Sequence, residues 1–184
     1  MAWAISGQQL SGCCIFSCSF LHPGSADYTT NVSGDVFDVE DKPPYGFVDT
    51  PKIFIRPNPF NEHVDFHAFV KYVRTILSQR GGANLLFVED VAFQKAAIQE
   101  MQRAMLPVIA VKPPGDKRAR LMVVASYVKN GTVLFFRSGC EQLLAQLFGF
   151  GVEGHDDLVD GFSYLLQGLV DQGLDPPKIH WIEA

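Results

Sequence analysis

The chain has 184 residues, of which 47% are hydrophobic and 12% aromatic, and a formal net charge of −5. That is enough apolar material for one full core, so a disordered class is excluded, and the negative balance confines any nucleic-acid contact to a local basic patch. Cys13, Cys14, Cys18 and Cys140 read as buried small hydrophobes in a reducing cytoplasm, and no apolar run approaches the ~20 residues of a membrane span, so a soluble, cytoplasmic protein without membrane contact is expected.

Residues 12–21 and 28–39 are rich in β-branched, aromatic and small residues and are separated by His22-Pro23-Gly24-Ser25, which predicts two strands joined by a turn. A loop follows from Asp41 to Pro51, whose four prolines and glycines exclude regular structure. Lys52 to Ile55 then form a third strand, closed by Pro57-Asn58-Pro59. The period changes at Phe66, Phe69, Val70, Val73 and Ile76, one face of a helix that ends near Gly81-Gly82.

Leu85 to Val88 is a continuous apolar run, the mark of a strand buried on both faces. A helix carrying Phe93, Ala97, Met101 and Met105 leads to a buried strand, Val108 to Val111. Next come a helix with Leu121, Val124, Ala125 and Val128 inward, a short strand from Thr132 to Phe136, and a helix from Cys140 to Phe148. The last helix buries Leu158, Phe162, Leu165, Leu166 and Leu169, and 173–184 read as an irregular tail. A three-strand meander followed by alternating helices and strands predicts an α/β fold with a mixed sheet and helices on both faces, the order of a ribonuclease-H-like domain.

Three groups could carry chemistry. Glu89 directly follows a buried strand, so its carboxylate stands at a carboxyl strand end, where sites in open α/β sheets form. Asp156, Asp157 and Asp160 crowd the start of the last helix. One charge there is favoured by the dipole by about 0.3–1 kcal/mol, but three repel one another unless a cation sits among them. Asp156 and Asp160 share a helix face at i, i+4, and Asp157 lies three residues from Asp160, so either of the first two could be the ligand. Oxygen ligands from separate segments suit hard cations, two of which about 3.5–4 Å apart can activate water and stabilise a phosphodiester leaving oxygen.

The third group is basic. Lys112, Lys117, Arg118 and Arg120 surround Pro113-Pro114-Gly115 at a helix start, where cations oppose the dipole. A bound phosphate would remove the conflict, so phosphate contact is expected here.

Four ordered pieces together resemble the nuclease domain of phage large terminase subunits: Val88 to Lys95, Gly115 to Leu121, Asn130 to Phe135 and His155 to Gly161, covering about residues 25–170. The resemblance implies a ribonuclease-H-like endonuclease over 25–172, preceded by an atypical segment at 1–24, that uses Mg²⁺ or Mn²⁺ to cut concatemeric viral DNA during packaging. It implies Glu89 as the second catalytic acid, Asp156 or Asp157 as the third, and Lys117, Arg118 and Arg120 on the DNA backbone. Partners implied are double-stranded DNA, a terminase motor domain, the small terminase subunit and the portal.

The chain departs from the family at two points. It has no Gly-x-x-x-x-Gly-Lys-Ser/Thr loop, hence no ATP site, and it cannot power translocation alone. The family's first catalytic Asp lies about ten residues before the match to Asp27-Tyr28-Thr29, and counting back reaches Ser17. A neutral hydroxyl does not bridge cations as a carboxylate does, and 1–21 hold no acid at all, which suggests a truncated or frameshifted start. Asp27 is the nearest substitute ligand. Weakened metal binding with reduced or lost cleavage is expected. The rival reading is a noncatalytic prophage remnant or a DNA- or partner-binding module with the same fold; a junction resolvase fits the acids but not the Gly-Asp-Lys-Arg-Ala-Arg piece.

Overall fold

The computed structural model describes residues 14–19, 29–41, 48–78, 84–90, 95–112, 115–152 and 156–173. The element order is β1 (Cys14–Ser19), β2 (Thr29–Asp41), β3 (Val48–Ile55), β4 (Phe60–Glu62), α1 (Phe66–Ser78), β5 (Asn84–Glu89), α2 (Lys95–Arg103), β6 (Val108–Val111), α3 (Lys117–Lys129), β7 (Val133–Phe135), α4 (Glu141–Phe148) and α5 (Asp157–Asp171). The strands form one mixed sheet in the order β6-β5-β1-β2-β3-β7, with β4 added to β2. The meander β1-β2-β3 is antiparallel, whereas β5 on β1, β6 on β5 and β7 on β3 are parallel, as helical crossovers require.

Alternation along β5 divides the core. Leu86 and Val88 pack with Phe69, Val73, Ile98 and Met101 of α1 and α2 on one face. Phe87 points to the other face, into a larger cluster built by α3, α4 and α5. Both faces of β5 are therefore covered, which is why its sequence is a continuous apolar run. Leu158, Phe162, Leu165, Leu166 and Leu169 of α5 are all buried in that larger cluster, and α5 crosses β1, β2, β5 and β6. Among the described residues no helix is long and apolar enough to cross a membrane.

Four details differ from the sequence expectations. First, β3 begins at Val48 and so takes in part of the segment expected to be irregular. Pro51 is tolerated opposite Asp38: the Ile53 amide two residues on donates to Thr132 O at 2.8 Å, so the proline nitrogen faces the same edge, beyond the reach of β7, which pairs only with Ile53–Ile55. Second, the chain resumes pairing after Pro57-Asn58-Pro59, as β4 against Thr29–Asn31.

Third, α2 ends at Arg103, and Met105 is 88% exposed instead of lining the buried face. Met105 adopts φ 59°, its N–H donates to Gln102 O at 2.9 Å, and the Leu106 N–H donates to Met101 O at 3.1 Å. These paired bonds make a Schellman stop in which methionine occupies the position glycine usually fills. Fourth, α3 turns Leu121, Val124 and Tyr127 inward and leaves Ala125 and Val128 exposed. Phe93, Asp27, His155, the Pro113-Pro114 pair and the 1–13 and 174–184 segments lie outside the described residues.

Candidate active site

Glu89 is the last residue of β5 and is paired with Val111 of β6, so it stands at the carboxyl edge of the parallel half of the sheet. The same edge holds the end of β1. There Cys18 is registered with Val88, Ser19 with Thr30, and Ser17 with both Phe87 and Val32. The start of α5 comes to this edge too, where the Thr30 hydroxyl donates to the Asp157 carbonyl at 3.3 Å. The fold therefore gathers Glu89, the acidic start of α5 and the end of β1 from segments far apart in sequence.

The start of α5 is capped from outside. Asp156 occupies the N-cap position without bonding any amide of the helix through its side chain. The buried Gln146 of α4 does so instead, accepting the Leu158 N–H at 2.9 Å. The Asp156 carboxylate is thus released from capping and turns to Lys117.

Lys117 Nζ lies 2.6 Å from Asp156 Oδ1 and 2.6 Å from Asp160 Oδ2, with the Phe150 ring 5.9 Å away. Arg120 Nη2 reaches Asp160 Oδ1 at 3.3 Å. Two frustrations visible in sequence thus resolve each other: Lys117 and Arg120 of α3 neutralise Asp156 and Asp160, and those acids supply the negative charge that the α3 N-terminus favours. Asp116 completes that start by accepting the Arg118 N–H at 3.1 Å. Burial lowers the Lys117 pKa, but the hydrogen bonds and charges of Asp156 and Asp160 outweigh it, leaving it above the usual value.

A second chain of contacts runs through Tyr164 of α5. Its hydroxyl donates to Glu89 Oε1, and its ring carries the Arg120 guanidinium 5.3 Å from the centroid. Burial, then the hydrogen bond and charge of Glu89, push the phenol well above its usual range, so it remains a proton donor to the carboxylate. Neither Tyr164 nor Gln146 stood out in the sequence, since both sit at positions whose spacing marks only a buried face.

Of the expected basic contacts, Lys112 and Arg118 are exposed, whereas Lys117 is half-buried and Arg120 nearly buried among the acids. The expected ligand Asp27 lies outside the described residues, and so do the side chains of 14–19.

The donor set suits a hard divalent cation, being carboxylate oxygens throughout. The Lys117 ammonium draws two carboxylates of one helix face onto a single positive charge. Among the described residues, no group of three or more His, Cys, Asp or Glu side chains converges on one point.

No protein-family model and no curated protein matches the sequence. Solved structures do resemble the fold. The large terminase nuclease from thermophilic phage G20c with bound zinc superposes with a TM-score of 0.59 at 14% identity, over 86% of this chain and 82% of that one. The human cytomegalovirus terminase nuclease domain gives 0.56 at 13%, over 91% and 86%. The phage G20c nuclease with bound magnesium gives 0.56 at 12%, over 86% and 82%. This chain therefore has the ribonuclease-H-like fold of the large-terminase nuclease domains.

Proposed function

We propose that the chain is the nuclease domain of a phage large terminase, a hydrolase that cuts concatemeric double-stranded DNA with Mg²⁺ or Mn²⁺. One observation supports the reading: on a fold shared with terminase nucleases, Glu89 stands at the carboxyl end of β5 and is tied through Tyr164 to α5, the helix that opens with the acids. Glu89, Asp156 and Asp157 would hold the cation, with Asp160 and Asp27 as the further acids expected nearby. Bound there, it would supply water activation and neutralise charge on the leaving oxygen.

The chain's own residues have separable tasks in this reading. Tyr164 holds Glu89, and Gln146 and Lys117 orient Asp156. Lys112 and Arg118, being exposed, are free to meet phosphates. Lys117 and Arg120 reach DNA only by leaving their carboxylates. Double-stranded DNA is the substrate; the motor domain, small subunit and portal are the partners of the packaging complex.

A second reading, a noncatalytic remnant or a DNA- or partner-binding module, is favoured by Ser17. That position pairs with Phe87, two residues before Glu89, and offers no carboxylate to a cation. Plasmid nicking with Mn²⁺ separates the two. Activity in the unaltered chain that Glu89→Ala abolishes supports the enzyme. Activity that appears only in Ser17→Asp supports the remnant, and inactivity in both sinks the assignment of Ser17 as the missing ligand.

A further inference from the structure

We propose that Tyr164 is a positioning residue for Glu89, fixing the carboxylate of β5 from the opposite helix; this rests on the nuclease reading above. Tyr164 is only 1% exposed, in the cluster that α5 shares with Phe87 and Phe162. A phenylalanine would fill that space without bringing a polar group into the core, and a buried hydroxyl is tolerated only where it finds a partner. The partner is Glu89 Oε1, reached from 75 residues away in sequence.

The ring itself is held from the other side. Arg120, whose side chain is 11% exposed, lies over it and is anchored to Asp160, while its Nε is buried without a hydrogen-bond partner. An arginine accepts that loss only where its plane and charge are otherwise engaged, here by the ring and the Asp160 carboxylate. The sequence Glu89, Tyr164, Arg120, Asp160, Lys117, Asp156 is thus one continuous set of contacts that joins the β5 acid to the α5 acids. Fixing a liganding carboxylate through a hydrogen-bond donor behind it is worth about 10–100-fold in metal affinity or activity.

The test is Mn²⁺ titration by calorimetry on the full chain, with thermal melting alongside, for the unaltered protein, Tyr164→Phe and Glu89→Gln. Tyr164→Phe keeps the ring and its stack on Arg120, so it should melt near the unaltered protein, bind Mn²⁺ about tenfold or more weakly, and recover nicking when Mn²⁺ is raised. Arg120→Lys, which keeps the charge on Asp160 but loses the flat stack, should shift affinity the same way by less. Unchanged Mn²⁺ affinity in Tyr164→Phe, with binding lost in Glu89→Gln, overturns the role of Tyr164 and leaves the nuclease reading intact. Equal binding in Glu89→Gln and the unaltered chain overturns the reading itself, and this role with it.

Discussion

The side chain of Gln146 in α4 caps a helix to which it does not belong, accepting the Leu158 N–H of α5 at 2.9 Å. Gln146→Met keeps the length of the side chain and removes the acceptor, leaving a buried amide unsatisfied. The loss should be about 1 kcal/mol, or roughly 2–4 °C in melting temperature for a chain of this size. With the amide unmet, Asp156 is drawn back to capping, so Lys117 loses one of its two carboxylates. A melt unchanged within error would mean that water replaces Gln146 at no cost.

Met105 predicts a change in the opposite direction. It is 88% exposed and sits at φ 59°, a conformation costing an L residue about 1–2 kcal/mol, so little packing is lost on truncation. Met105→Gly relieves that strain at the expense of greater freedom in the unfolded chain, leaving a net gain of up to about 1 kcal/mol. Urea denaturation checks it: the midpoint should rise with the slope unchanged.

Such positions mark where the sequence was legible and where it was not. The continuous run Leu85 to Val88 and the 3.6-residue spacing of Leu158 to Leu169 each encode burial directly, so β5 and α5 emerged with their faces correct. β4 did not, because three residues after a proline pair carry no period. The end of α2 did not, because its stop uses methionine where glycine is the usual sign. At the site, the crowding of Asp156, Asp157 and Asp160 pointed to a cation among them, and in the fold the positive charge beside Asp156 and Asp160 comes from side chains. Sequence could not show that Lys117 and Arg120, about 40 positions away, would supply it for two of the three. Those pairings are a property of the α3–α5 packing.

Gly168 tests that packing. A Cβ built there would stand 2.4 Å from Phe87 Cδ1, and the fully buried ring has no room to retreat from the strand. Gly168→Ala gains helix propensity but forces α5 off the sheet, for a net loss of about 1–3 kcal/mol. The double variant Gly168→Ala with Phe87→Leu should recover part of that loss, since the clash lies with the ring. Failure to recover would show that the strain is in the backbone.

Lys117 joins stability to the site. Lys117→Met keeps a similar length and leaves Asp156 and Asp160 sharing a helix face with Arg120 alone beside Asp160. Removing one partner of a half-buried charged set should cost about 1–3 kcal/mol, less in an Asp160→Asn background, where the repulsion is gone. The pH dependence has a definite sign. The Lys117 pKa is raised on folding, so its contribution is fully present below the unfolded value of 10.5 and is lost as pH rises through the folded one. Unaltered protein and Lys117→Met should therefore differ most at neutral pH and converge only above about pH 10.5. A gap that instead closed toward neutral pH would mean that solvent already neutralises the acids, and that the bridge between α3 and α5 contributes nothing to the fold.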